Sequence, residues 1–226
     1  MAIGIVQYNT QQVGGFDKNY DTNIVRGWTL NPASGLDGGV TKTQATAGTG
    51  AFLTDGSFTY QIAAGAVTDG QGLNAQWAHF GLTAAAAKPI RFDIKCALVG
   101  KVGELAIGMA AVDTTLIASD LLTNKFVGFS TKGDDDGVVD YVCNNHTDQS
   151  TAFTTTAGEA VTLATDIDFA MEIGSGEVKF FRDHVLKARI KTNIPTGVLV
   201  PTIVCQSIGS TESKVDIKGM SVTQAV

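Results

Sequence analysis

Charge and basic residues are scarce in this chain. Charged residues make up 17% of its 226 positions, the formal net charge is −6 and the isoelectric point is near 4.9. A nucleic-acid-binding face needs a basic field to displace counterions, and an anionic membrane surface attracts basic segments. The composition therefore predicts neither a nucleic-acid partner nor a membrane partner.

Cysteine is scarce as well, and its spacing excludes the common zinc patterns. Cys96, Cys143 and Cys205 lie far apart, and no C-x-x-C pair exists. Each lies in a strand-like run, so we expect free, buried thiols in a chain made in a reducing cytoplasm. A disulfide between two of them is the open alternative.

Long apolar runs are missing too. No stretch approaches the ~20 apolar residues of a membrane-spanning helix. The N-terminal Met-Ala-Ile-Gly-Ile-Val-Gln lacks the basic region and the apolar length of a secretory signal. Residues 1–20 have little periodicity, so we expect an extended arm or one short strand there, followed by a single domain over residues 21–226.

Two-residue alternation is the strongest pattern present, and it is clearest between residues 166 and 191. This stretch predicts three strands joined by two tight turns, each strand with one buried and one wet face. In the first strand the apolar face contains Ile167, Phe169, Met171 and Ile173, and the charged face contains Asp166, Asp168 and Glu172. In the third strand we expect Leu186, Ala188 and Ile190 to point inward. A shift by one residue would bury a row of charges, so the register is strongly fixed.

Similar strand patterns recur along the rest of the chain, joined by Gly/Asp turns. Asp55-Gly56 predicts a hairpin, with Phe58, Tyr60 and Ile62 on one face. The phase shift at Lys218-Gly219 predicts a β-bulge. Asp113 is predicted to cap a short helix over Thr114–Leu122. Together these patterns predict an all-β fold, an antiparallel β-sandwich of jelly-roll type with one short helix.

The C-terminal half carries a succession of strand motifs in a characteristic order. They are Phe-Val-Gly-Phe (126–129), Val-Asp-Tyr-Val (139–142), Asp-Ile-Asp-Phe-Ala-Met-Glu-Ile (166–173), Glu-Val-Lys-Phe-Phe-Arg-Asp (177–183), Leu-Val-Pro-Thr-Ile-Val (199–204) and Val-Asp-Ile-Lys-Gly-Met-Ser-Val-Thr-Gln (215–224). This order resembles the concanavalin A-like (laminin-G-like) jelly-roll family, although His184 stands where that family commonly has glycine. The Gly-, Thr- and Ala-rich composition also resembles jelly-roll proteins of tailed-phage virions.

The resemblance points to two kinds of candidate site, a set of carboxylates and a calcium site. The family includes glucanases whose catalytic carboxylates alternate on one strand, which invites a comparison with Asp166, Asp168 and Glu172. Position 170 is alanine, however, so we expect a solvated strand face and no catalytic residues. Laminin-G-like relatives often bind calcium at loop rims, which leaves Asp134 and Asp136 as weak calcium candidates. Because the three consecutive aspartates depart from the D-x-D-x-D-G spacing, a charged turn is the favoured interpretation.

The leading functional hypothesis is a non-enzymatic virion protein without a cofactor. It would be a capsid decoration or cement protein of a tailed phage, a homotrimer that bridges subunits of the major capsid protein after assembly in the host cytoplasm. The alternative is a carbohydrate-binding, lectin-like module or a tail-associated receptor-binding protein. In that case we expect Trp77, Phe80 and Tyr141 to contact glycan from the loop rim.

Overall fold

The structure is a computed structural model. It describes residues 25–35, 39–43, 48–53, 57–64, 72–85, 88–99, 104–113, 117–118, 121–122, 124–131, 138–145, 153–207 and 213–225. The strands, in chain order, are β1 (Val25–Leu30), β2 (Thr41–Thr43), β3 (Thr49–Phe52), β4 (Tyr60–Ala63), β5 (Gly72–Gln76), β6 (Ile90–Val99), β7 (Glu104–Ala110), β8 (Ile117–Ala118), β9 (Leu121–Leu122), β10 (Phe126–Ser130), β11 (Val138–Asn144), β12 (Phe153–Ala160), β13 (Asp166–Ile173), β14 (Val178–Arg182), β15 (Val185–Ile190), β16 (Val200–Gln206) and β17 (Lys214–Ala225).

Two large sheets make up most of the structure. Sheet 1 has the order β15-β14-β13-β6-β17-β4-β3, and β1 also pairs with β17. Sheet 2 has the order β12-β11-β10-β7-β16-β5-β2. Neighbouring strands are antiparallel in both sheets. The predicted antiparallel sandwich is therefore confirmed.

The core lies between the two sheets and is formed by the inward-facing side chains of both. Phe129 of β10 and Phe169 of β13 bring their ring centroids within 4.5 Å of each other across the interface. Phe180 of β14 meets Phe129 edge-on at 5.6 Å. Each large apolar side chain buried in this way stabilises the fold by about 1.5–3 kcal/mol. The aromatic contacts therefore hold sheet 1 to sheet 2 near their centres.

The predicted meander of β13, β14 and β15 is confirmed, but one side chain lies on the opposite face of the sheet from the one predicted. Phe180 pairs with Ala188, but Phe181 pairs with Leu186, so the register shifts by one residue. Leu186 therefore lies beside Phe181 on the outer face and is 39% exposed. Its predicted inward position was wrong because a β-bulge resets the alternation within the strand. The bulge predicted at Lys218-Gly219 is confirmed, since the register shifts between Ile217 and Gly219.

The turn between β14 and β15 has a left-handed backbone conformation that few residues other than glycine adopt readily. Asp183 and His184 both have positive φ, at 49° and 64°. Two consecutive residues of this kind are typical of the type I′ hairpin turn, in which glycine is favoured. The chain thus makes this turn with His184 at the position where the jelly-roll family that the sequence resembles commonly has glycine.

The short helix predicted over Thr114–Leu122 is wrong. Within that range the structure describes β8 and β9, which pair as an antiparallel ribbon. The β-branched residues of the segment favour extended backbone, which outweighs its partial apolar stripe. The helical element of the described ranges is a 3₁₀ helix at Pro32–Ser34, capped by Asn31. No helix in those ranges is long and apolar enough to cross a membrane.

The predicted hairpin of β3 and β4 is confirmed by the pairing of Phe52 with Tyr60. Phe58, however, is 66% exposed and does not share the buried face of Tyr60 and Ile62. Its φ of 50° lies in the left-handed region, so the alternation begins only after this residue. The turn residues 54–56 lie outside the described ranges, as do the predicted arm (residues 1–20) and the start of the predicted domain.

All three cysteines are free and buried, as predicted. Burial raises the pKa of each thiol, and the pKa of Cys143 reaches about 12. Near neutral pH each cysteine is therefore a protonated apolar side chain and not a nucleophile.

Candidate functional site

The outer face of sheet 1 carries the acidic side chains that invited the comparison with glucanases. Glu172 lies between two cations: its Oε1 is 3.4 Å from Nη1 of Arg91 and its Oε2 is 3.0 Å from Nζ of Lys179. Nη2 of Arg91 also approaches Oδ1 of Asp93 at 2.7 Å. Partial burial lowers the pKa of Arg91, but the hydrogen bond and the charge of Asp93, together with Glu172, raise it by more. These groups neutralise one another across β13, β6 and β14.

The other two carboxylates of this face, those of Asp166 and Asp168, also lie beside nitrogen-bearing side chains. Oδ2 of Asp166 lies 3.6 Å from Nζ of Lys95, and Oδ2 of Asp168 lies 3.8 Å from Nε2 of His184. From the rise of a strand, Asp168 and Glu172 are about 13 Å apart, beyond the separation that glycoside hydrolysis uses. Asp166 and Asp168 are about 7 Å apart, which falls within that range. Both are half-exposed on an open sheet face, Asp166 beside the ammonium group of Lys95 and Asp168 beside the imidazole of His184.

The outer face of sheet 2 is quite different, because it is buried and carries small or apolar side chains. A second apolar cluster, separate from the main core, contains Ala106, Ala110, Phe126, Val142 and Val204. At the centre of this face Gly108 pairs with Gly128. A Cβ atom added to Gly108 would collide with the carbonyl oxygen of Val127, so the strands approach each other too closely for any side chain.

Buried amide side chains of β5 attach the segment that follows β7 to this same face. Nε2 of Gln76 donates to the carbonyl oxygen of Ala111 at 3.0 Å, and Oε1 of Gln76 accepts from the backbone N–H of Asp113 at 3.0 Å. Nδ2 of Asn74 donates to the carbonyl oxygen of Asp113 at 2.7 Å. Because β16 separates β7 from β5, residues 111–113 run across the sheet and cover part of it. The chain itself therefore covers this part of the outer face of sheet 2.

The three aromatic residues predicted to contact glycan are buried, so their predicted place at a loop rim is wrong. Tyr141 packs in the central core, with its ring 5.5 Å from that of Phe180, and burial raises the pKa of its phenol to about 12. Trp77 is fully buried and Phe80 is 8% exposed. The alternation of β11 places Tyr141 inward, and Trp77 continues the inward row of β5.

Trp77 and Phe80 are nevertheless brought together by a residue that the sequence did not single out. Trp28 of β1 is only partly buried, and its ring lies 5.4 Å from Trp77 and 6.4 Å from Phe80, stacked on the latter. The exposed imidazole of His79 meets Trp28 edge-on at 6.2 Å. The guanidinium of Arg26 lies 5.5 Å from the centre of the Phe80 ring. We call Arg26, Trp28, His79 and Phe80 the aromatic rim.

Two elements from opposite sheets build the aromatic rim. Arg26 and Trp28 lie on the same side of β1, which places them beside the end of β5. The turn after β5 is closed by a hydrogen bond from the N–H of Phe80 to the carbonyl oxygen of Trp77 at 3.1 Å. The sequence contained one signal for this site, the spacing of Arg26 and Trp28 in a strand-like run. The partner could not be found in this way because it lies some 50 residues away.

The calcium candidates Asp134 and Asp136 lie outside the described residues. Within the ranges that the structure does describe, no group of three or more His, Cys, Asp or Glu residues is arranged to hold a metal ion.

No protein-family model and no curated protein sequence matches this chain. Solved structures do match its fold. A β-glucanase from Bacillus licheniformis is 11% identical, with a TM-score of 0.58 over 87% of this chain and 97% of that one. A glycoside hydrolase family 16 endo-glucanase from Bacteroides ovatus is 8% identical, with a TM-score of 0.60 over 86% and 99%. The exoplasmic/lumenal domain of VIP36, in its Ca²⁺/Man3GlcNAc-bound form, is 10% identical, with a TM-score of 0.58 over 88% of both chains. At these identities the similarity shows the fold alone, a concanavalin A-like jelly roll.

Proposed function

We propose that this protein is a non-enzymatic structural protein of a tailed-phage virion, a decoration protein that bridges subunits of the major capsid protein. The observation that supports this most is the outer face of sheet 1. There Glu172 is held between Arg91 and Lys179, and Asp93 is hydrogen-bonded to Arg91. Carboxylates paired in this way suit a solvated contact surface, whereas general acid–base catalysis needs a carboxyl group free to exchange a proton with a substrate.

The edge of sheet 1 supplies a surface suited to adhesion. Among the described strands β15 pairs only with β14, so its other edge has no paired strand there, and Lys187 of β15 bonds to Glu159 of β12 at 2.9 Å. Val185 and Leu186 on this strand are 56% and 39% exposed. An open strand edge with apolar side chains is a common way for one protein to bind another. In a homotrimer, three such weak contacts would act together. Free buried thiols are in keeping with assembly in a reducing host cytoplasm.

Rebinding to capsids tests the proposal. The molar mass in solution should be that of a trimer, and the purified protein should rebind saturably to capsids that have been stripped of it. Leu186→Lys should weaken rebinding, and deletion of residues 1–20 should weaken it further if the arm also contacts the capsid. Val198→Lys is the matched control, because Val198 is exposed but lies off this edge. A stable monomer with no affinity for capsids would overturn the proposal.

Saccharide binding is the second candidate, and the aromatic rim specifically favours it. Partly exposed aromatic rings with a few polar groups beside them are typical of small-molecule sites. The VIP36 domain, whose bound form contains Ca²⁺ and Man3GlcNAc, also shares the fold. A glycan array with and without a chelator separates this candidate from capsid decoration and reveals any role of calcium. Hydrolysis of an arrayed glycan, lost in Asp168→Asn or Glu172→Gln, would instead establish a glycosidase.

A further inference from the structure

Arg26 is the exception among the arginines of this chain. The four are Arg26, Arg91, Arg182 and Arg189. Arg91, Arg182 and Arg189 each form a salt bridge with an aspartate or glutamate. Arg26 forms none with any described residue, and its contact there is with the ring of Phe80. Arg26 is exposed, and among the described residues its guanidinium has no carboxylate partner, in a chain whose net charge is −6.

The surroundings of Arg26 restrict its movement without neutralising it. The ring of Phe80 lies 5.5 Å from the guanidinium carbon, within the range of a cation–π contact. Phe80 in turn stacks on Trp28, which packs against the fully buried Trp77. A guanidinium positioned by such a platform loses little further side-chain entropy when it binds a carboxylate.

The chemistry of the aromatic rim therefore selects a particular ligand. An aromatic surface accepts the apolar face of a pyranose ring, and a guanidinium binds a carboxylate through two parallel hydrogen bonds. The exposed imidazole of His79 lies beside the same indole and supplies a further polar group.

We propose that the aromatic rim binds an acidic saccharide, with a uronic acid ring packed against Trp28 and its carboxylate held by Arg26. This inference rests on the second candidate function, saccharide binding, and adds to it the site and the class of sugar. Neutral sugars of the same ring size lack the group that Arg26 recognises, so the site discriminates by charge.

Tryptophan fluorescence gives a direct readout, because both tryptophans of the chain, Trp28 and Trp77, belong to this cluster. Oligogalacturonate is titrated into the full-length protein, with a neutral galactan oligomer of equal length as the reference. We expect saturable quenching by oligogalacturonate, weakened at least tenfold in Arg26→Met and recovered only in part in Arg26→Lys, which restores the charge but not the two parallel donors. Lys191→Met is the matched control, since it removes an exposed cation on the far edge of sheet 1.

The outcomes separate this inference from the function on which it rests. Equal affinity of Arg26→Met and wild type for oligogalacturonate would overturn the assignment of the site. Binding of neutral glycans on the array, with no response to oligogalacturonate, would overturn the acidic specificity and leave saccharide binding standing. If neither probe binds and the array is blank, both the second candidate function and this inference fail. Thermal unfolding of each variant confirms that a lost signal is not lost structure.

Discussion

The two outer faces of this sandwich differ in almost every physical respect. Sheet 1 presents charged side chains to water, and these pair across strands, as Glu172 does with Arg91 and Lys179. Sheet 2 presents glycine, alanine and buried amides, and residues 111–113 lie on it through Gln76 and Asn74. The outer face of sheet 1 is therefore exposed, with charges that pair among themselves, whereas the outer face of sheet 2 is buried. The stability of the protein should depend weakly on the first and strongly on the second.

The largest effect is expected inside sheet 1, where the buried and wet faces of β13 can be compared directly. Phe169→Asp should unfold the protein, because it places an unpaired charge against Phe129 in the core. Asp168→Asn, one residue earlier on the wet face, is the control and should change the unfolding free energy by less than about 1 kcal/mol. Circular dichroism during thermal unfolding measures both. A folded Phe169→Asp would mean that the facing of β13 is wrong.

Gly108→Val tests the closed face of sheet 2. The new side chain would collide with the carbonyl oxygen of Val127, so we expect a loss of about 3 kcal/mol in the free energy of unfolding. Gly176→Val, in the turn that joins β13 and β14 of sheet 1, is the control, since a Cβ atom there meets nothing within 4 Å. Urea unfolding gives both values, and equal effects would contradict the difference between the faces.

The amide contacts of sheet 2 should contribute less than the core but more than a surface pair. Gln76→Ala leaves the N–H of Asp113 and the carbonyl of Ala111 without their buried partner, which costs about 2 kcal/mol. Gln61→Ala removes a partly exposed hydrogen bond to Asp216 on sheet 1 and should cost about 0.5 kcal/mol. Hydrogen exchange at residues 111–113 provides a second measurement, because Gln76→Ala should accelerate it and Gln61→Ala should not.

The smallest effect is expected from the ion pairs of sheet 1. Glu172→Gln should lower the unfolding free energy by about 0.5 kcal/mol, since the carboxylate is partly exposed and its pairs are screened by water. That difference should shrink further at 1 M salt, where the Debye length is about 3 Å. A loss of several kcal/mol, insensitive to salt, would show that this face is structural and would remove the contrast with sheet 2.

The same contrast explains what the sequence could predict. The meander of β13 to β15 was predictable because one face is wet, so charged and apolar residues alternate at nearly every position. Residues 104–110 show no such alternation, because β7 lies inside sheet 2 and is covered on both sides, so the sequence does not say which of its faces points to the core. The attachment of Asp113 to Gln76 was not predictable, since the backbone N–H of Asp113 donates to a side chain that lies 37 residues away in sequence.

The candidate site was predicted only in fragments. Trp77 and Phe80 were chosen as aromatic residues and placed on a rim, yet both are buried, and Trp28 and Arg26 are the less buried residues that contact them. Trp28 itself was not singled out, because the pairing of its strand with β17 is long-range and leaves no local pattern in the sequence. Leu186 was misplaced because the apolar residues Leu186, Ala188 and Ile190 alternate without a phase shift, so this part of the sequence gives no sign of the bulge.

The three buried thiols can report on local unfolding of this protein. Cys96 lies on β6 in sheet 1, Cys143 on β11 near one edge of sheet 2, and Cys205 on β16 toward the other. None can react with an alkylating reagent until its own strand separates from the core. Mass spectrometry of the alkylated peptides would therefore time the opening of three separate strands in the unmodified protein, and would reveal which part of the sandwich comes apart first.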